Sequence, residues 1–234
     1  VDDLVISVDD QEVAERVKNV AVDLFRDASM NLRKWVINGG NQSDCSQPSS
    51  RKVLGINWCI QNDRFNVDLK GVAEFVTTVN IVTKRNLLQT ISRIYDPLGI
   101  LGPYVIKLKI LFQRIWTERP DWDDPLSSDI TKEWCGWAAQ LKTMVNFSIP
   151  RSLFSTKIKE YHLHVFADAS LRACGVAAYV RSVDFSNNVC VTLLCAKSRV
   201  APLKKRDEDT MTLPRLELTA ALLAARLQHF LHKV

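Results

Sequence analysis

The sequence predicts an α+β protein, and three observations carry that expectation. Apolar residues recur at helical spacing through 84–144, three strand-like runs fill 161–197, and a last helical pattern runs from Pro214 to His232. At 234 residues the chain has room for one large domain or two modest ones, and 47% apolar content is ordinary for a globular protein. No stretch approaches the ~18 uninterrupted apolar residues that cross a bilayer, and none resembles a signal peptide. The cysteines (Cys45, Cys59, Cys135, Cys174, Cys190 and Cys195) form no C-x-x-C pair, which argues against a zinc ribbon and for a reduced setting. The chain opens on Val1-Asp2-Asp3 rather than Met, so it is expected to be cut from something longer.

Leu4 to Val8 reads as a short buried strand, after which Asp9 or Asp10 caps a helix to about Asp27 with Val13, Val17, Val20, Ala21 and Leu24 on one side. Leu32 to Ile37 alternates as a strand, and 38–50 is a polar loop. Lys52 to Trp58 and Arg64 to Leu69 pair as a hairpin around Gln61-Asn62-Asp63. Helix returns from Lys84 to Tyr95 and stops at Asp96-Pro97-Leu98-Gly99, because proline disfavours helix in the residue before it. A longer helix follows from Pro103 to Trp116. Pro120 to Pro125 is a connector, and Leu126 to Met144 is helical, with Trp134, Trp137 and Leu141 as a core stripe. After Pro150 the strands Tyr161 to Ala167, Gly175 to Val183 and Val189 to Lys197 form a meander, closed by a helix with proline in its first turn.

Charge is unevenly placed. Residues 1–30 carry eight acids against three bases, whereas 84–119 carry seven bases against two acids. A basic block following an acidic one suits a protein that grips a phosphate backbone, and a solvated helix face explains it equally well. Two acidic sites stand far apart: Asp2 and Asp3 before an apolar run, then Asp168 at a strand end and Glu217 in the apolar run Leu216 to Ala225. Converging carboxylates hold the hard cations of two-metal phosphoryl transfer. Each has a plain alternative. Asp2 and Asp3 suit a polar turn, Asp168 an Asx-type turn into Ala169-Ser170, and Glu217 the first turn of a helix, where the dipole favours acids. The helix around Glu217 is apolar nearly all round and is expected to be buried. His229 and His232, spaced i, i+3, have no cysteine near them in sequence, which weakens a zinc reading.

Eight short strings in order carry a resemblance: VDDLV at 1, NLRKW at 31, KVLGINW at 52, ISRIYDPLGILGP at 91, DWDDPL at 121, IPR at 149, FADAS with GVAAYV from 166, and LPRLEL at 213. The chain resembles the reverse transcriptase to ribonuclease H stretch of a BEL/Pao-type retrotransposon Pol polyprotein. The resemblance implies a truncated reverse transcriptase palm over 1–83, a helical thumb and connection over 84–150, and a partial ribonuclease H-like α/β domain over 151–234. It implies that Asp2 and Asp3 are palm carboxylates, that Asp168 and Glu217 are the first two ribonuclease H carboxylates, and that both sites are completed outside this sequence. Asp168 and Glu217 are then expected within reach of a common Mg²⁺ or Mn²⁺, and Lys84, Arg85, Lys107, Lys109 and Arg114 of the thumb on nucleic acid.

The implied activity is RNA-directed DNA polymerase plus ribonuclease H on RNA–DNA hybrids and template-primer, with the rest of the Pol polyprotein as partner and no membrane. The implied place is intracellular and cytoplasmic, in the virus-like particle of the parent element. The fragment alone is expected to be inactive. Two other classes are a catalytically dead nucleic-acid-binding relic and an aspartic peptidase. The peptidase is disfavoured, because that chemistry uses paired aspartates in D-T-G or D-S-G loops and the chain has neither string.

Overall fold

The structure, a computed structural model, describes residues 4–8, 10–38, 50–144, 147–154, 157–203 and 212–233. Asp9 and most of the 38–50 loop lie outside them. The chain divides into two compact units, Val1–Asn66 with Ser148–Arg151, and Val67–Phe147 with Ser152–Val234. Helices and two antiparallel sheets give the expected α+β class.

In the first unit α1 (Gln11–Asp27) starts where Asp10 accepts the N–H of Val13, a side-chain N-cap. Of its apolar stripe only Ala21 is buried, and Val20 and Leu24 face solvent. Residues 4–8 and 32–37 form no ladder, which corrects both strand expectations. Lys34 takes a left-handed φ of 59° and breaks the second alternation. Leu4 to Val8 has no neighbouring strand among the described residues, and apolar alternation without a partner makes no sheet.

The remaining strands are β1 (Ser50–Val53), β2 (Ile56–Cys59), β3 (Arg64–Asn66) and β4 (Ser148–Pro150), antiparallel in that order. Lys52 to Trp58 is therefore two strands and not one. Val53 pairs with Ile56, so Leu54 (φ 48°) and Gly55 (φ 83°) form a tight turn whose positive φ values match strand twist. The sequence signal was a lone glycine inside an apolar run. β4 joins by the pairing of Phe65 with Ile149, and Arg64 reaches Ser148 at 2.9 and 3.0 Å.

Arg151 closes this sheet on Asp63. Its guanidinium donates to both carboxylate oxygens at 2.6 and 2.9 Å, and the Trp58 indole donates a further bond at 2.9 Å. Burial pushes the Asp63 carboxyl up, but the bonds from Arg151 and Trp58 and the Arg151 charge outweigh it and hold the group below its ordinary value. A depressed folded pKa contributes stability that is present above the unfolded value of about 3.9 and is lost as pH falls through the folded one. Asp63→Asn is thus expected to cost roughly 1–3 kcal/mol at neutral pH, leaving Arg151 half-paired. It should also flatten the acid limb of the unfolding free energy below about pH 4. Parallel pH curves for the two proteins would remove Asp63 from the account.

The second unit opens with α2 (Lys70–Thr78), which the sequence reading left unassigned, followed by α3 (Lys84–Ser92), α4 (Gly102–Glu118) and α5 (Ser128–Met144). Leu69, Leu87, Leu108, Ile115, Ile130 and Leu141 are fully buried between them. The tryptophan stripe is core, as its spacing indicated. Tyr104 stacks on Trp137 at 4.5 Å between ring centres, the phenol donates to Trp137 O at 3.0 Å, and the indole donates to Tyr104 O at 3.2 Å. Burial pushes the Tyr104 phenol up from its ordinary value. Trp137→Ala removes the stack and the indole bond to Tyr104 O, so it is expected to cost about 4 kcal/mol, read as a midpoint shift on urea unfolding. A shift corresponding to less than about 1 kcal/mol would show that the pair is dispensable.

A second sheet follows: β5 (Ile158–Ala169), β6 (Ala173–Asp184) and β7 (Val189–Val200), antiparallel in that order, then α6 (Leu213–Leu231). Each strand is longer than its apolar run, because ladder bonds continue through polar residues. On one face Cys174, Val176 and Ala178 pack with Ala220, Leu223 and Leu227 of α6. β7 is held to the helices by the Asp96–Gly99 turn, where Leu98 O accepts the Ala196 N–H at 2.8 Å. Asp96 fixes that turn by accepting from Ile100 N and Leu101 N at 3.0 and 2.8 Å. No helix among the described residues is long and apolar enough to cross a membrane.

Candidate functional site

Asp168 is the last residue but one of β5, opposite Gly175. It does not make the Asx-type turn that its position suggested. Ser170 does, accepting from Arg172 N and Ala173 N at 3.3 and 3.1 Å. The Asp168 carboxylate is exposed and has no hydrogen bond or ion pair among the described residues. Leu163, Val165 and Ala169 pack toward α6, so strand alternation sets Asp168 on the other face. His164 and Phe166 share that face, their rings 6.4 Å apart, with Tyr179 at 5.9 Å from Phe166.

Glu217 lies in α6 one residue after Leu216, which is 2% exposed. Glu217 itself is exposed, which corrects the expectation of a helix buried all round. Burial follows the 3.6-residue period through Leu216, Ala220, Leu223 and Leu227, while Leu218 is 72% exposed. The helix presses on β5 and β6 from one side only. Glu217 therefore escapes the desolvation that burial would impose, and like Asp168 it has no partner among the described residues.

Register by itself does not bring the two carboxylates together. The outer edge of β5 is unpaired among the described residues. No group of three or more His, Cys, Asp or Glu able to hold a metal ion occurs among the described residues. Two carboxylates fall short of the set that clamps Mg²⁺ against substrate phosphates. Asp2 and Asp3 lie outside the described residues.

The expected basic grip breaks up. Lys84 is 5% exposed, with its ammonium 3.6 Å from the Trp116 ring centre and 4.7 Å from that of Trp122, so its charge is held by indoles and withheld from the surface. Arg85 binds Asp123 at 2.7 and 2.9 Å, and Arg114 binds Glu133. Lys107 and Lys109 are exposed, but two residues apart on α4 they point to different sides. The sequence reading passed over Arg172, Lys197 and Arg199, which are exposed, the last two on the α6-facing side of β7, across the sheet from the face of Asp168. Two bases two residues apart in a strand-like run, Lys197 and Arg199, was the signal available.

A family model described as "Pao retrotransposon-like RNaseH-like domain" matches residues 83–234, from the start of α3 to the end of the chain. No curated protein matches the chain.

Proposed function

Since the chain belongs to the Pao retrotransposon-like RNaseH-like family through residues 83–234, we propose that it is the part of a retrotransposon Pol polyprotein that cleaves the RNA of RNA–DNA hybrids, joined to the end of a reverse transcriptase. The carrying observation is that Asp168 and Glu217, alike exposed and unpartnered among the described residues, both fall inside the matched segment. A carboxylate with no structural bond to keep is free to hold a cation. Asp168 and Glu217 supply two ligands, the remainder come from carboxylates outside this sequence, and Mg²⁺ or Mn²⁺ bound there would polarise the scissile phosphate and activate water.

In the polymerase reading, Asp2 and Asp3 are the end of the palm site and the first unit is the back of that palm. A second reading is hybrid binding without cleavage. One experiment separates them. The isolated chain with excess Mg²⁺ is expected neither to extend a primer nor to cleave a hybrid. The chain lengthened through its flanking reading frame is expected to cleave. Hybrid binding without cleavage by the lengthened chain would decide for the binding reading.

A further inference from the structure

Where α6 and β7 adjoin, an exposed aromatic ring lies among bases and no acid offsets them. Arg199 pairs with Cys174 and Lys197 with Val176, and both partners pack against α6, so the two bases stand on the α6 side of the sheet, opposite the face of Asp168. The Lys197 ammonium lies 5.9 Å from the ring centre of Phe230, which turns that flank of α6 toward β7. Arg226 precedes Phe230 by four residues and shares its flank, one helical turn away. β7 contains neither Asp nor Glu. The one acid of α6, Glu217, comes nine residues before Arg226, about two and a half turns, and so points to the opposite flank. Lys197, Arg199 and Arg226 are exposed, and none has an ion pair among the described residues. Phe230 is 57% exposed.

We infer that Lys197, Arg199 and Arg226, grouped about Phe230, form a seat for a single nucleic-acid strand on the α6 side of the sheet. The seat goes beyond the proposed cleavage site and uses none of its residues. Lys197 and Arg199 are about 6.8 Å apart along β7, and Arg226 reaches in from a second element, so the bases suit a chain of charges better than one anion. The exposed ring selects the class of polyanion. Unpaired bases stack on aromatic side chains whatever their sequence, whereas the bases of a duplex are already stacked on one another. The bases of the helical block are caged, paired or turned apart, and none of them surrounds an open ring.

The test is the affinity of the full chain for a short labelled oligothymidine strand, measured by fluorescence anisotropy across salt concentrations. On a single strand each phosphate contact contributes about 0.7 to the slope of log affinity against log salt. The triple variant Lys197→Gln, Arg199→Gln, Arg226→Gln is expected to lower the slope by about 2.1. If that variant does not fold, Arg226→Gln alone should lower it by about 0.7. Phe230→Ala is expected to weaken binding roughly 5- to 150-fold at fixed salt with the slope retained, and Phe230→Trp to restore it. Lys107→Gln with Lys109→Gln is expected to change neither quantity. An unaltered slope in the triple or single variant overturns the seat, as does absence of salt-dependent binding by the unaltered chain. Affinity that Phe230→Ala leaves unchanged, with poly-glutamate displacing the strand, would mark a surface for acidic peptides and overturns it too. The cleavage reading is decided by the lengthened chain and is untouched by any of these outcomes.

Discussion

Gly99→Ala is expected to destabilise the second unit by about 3 kcal/mol or more, because the substitution meets two independent obstacles. Gly99 has φ +72°, a left-handed conformation that costs an L-residue roughly 1–2 kcal/mol. A Cβ there would also stand 1.8 Å from Ala196 O and 2.6 Å from its carbonyl carbon. Neither atom is the end of a flexible side chain; both belong to the backbone of β7. Relief requires the turn to lift from the strand, which breaks the 2.8 Å bond from Ala196 N to Leu98 O and strands its donor at about 1–3 kcal/mol. Urea unfolding followed by tryptophan fluorescence reads the loss. Gly136→Ala is the control, since nothing lies within 4 Å of its Cβ position in α5 and alanine there should stabilise by roughly 0.5–1 kcal/mol. Equal midpoints for Gly99→Ala and the parent chain would show that the turn is not seated on β7.

Asp168→Asn and Glu217→Gln are each expected to abolish hybrid cleavage by the lengthened chain, with a fall of more than about 100-fold. Loss of a group merely hydrogen-bonded to a metal ligand already costs roughly 10–100-fold, so loss of a ligand should exceed that. Both side chains are exposed and unpartnered among the described residues, and the amides match them in volume. Stability should therefore move by no more than about 0.5 kcal/mol, as for ordinary surface changes. The pairing of lost cleavage with unchanged unfolding is the discriminating result. Glu217→Gln that cleaves normally would leave Glu217 an ordinary solvated residue, since it lies beyond the first turn of α6, where the dipole would favour an acid.

Local chemistry made much of the second unit legible. The helix starts follow from rules that act within a few residues: Thr83 caps α3 by accepting from Asn86 N, and proline lies in the first turn of α4 and α6. The tryptophan stripe of α5 and the three-strand meander were read from periods of 3.6 and 2. The candidate carboxylates were singled out from the strings FADAS and LPRLEL, and the family match covers both strings.

What sequence alone missed depends on which surfaces meet. β4 pairs with β3 across the whole helical segment, and Arg151 closes on Asp63 at a separation of 88 residues, beyond any local pattern. Glu217 was expected buried because its neighbours are apolar, but a helix pressed on one side buries one stripe and leaves the rest in water. Lys84 was counted as a surface charge, yet two indoles brought together from α4 and the connector enclose it. Periodicity along the sequence determined that the chain is α+β, and composition gave the number of its bases. Only tertiary packing decided which bases remain available, because a cation is spent or free according to the ring or carboxylate that the fold sets beside it.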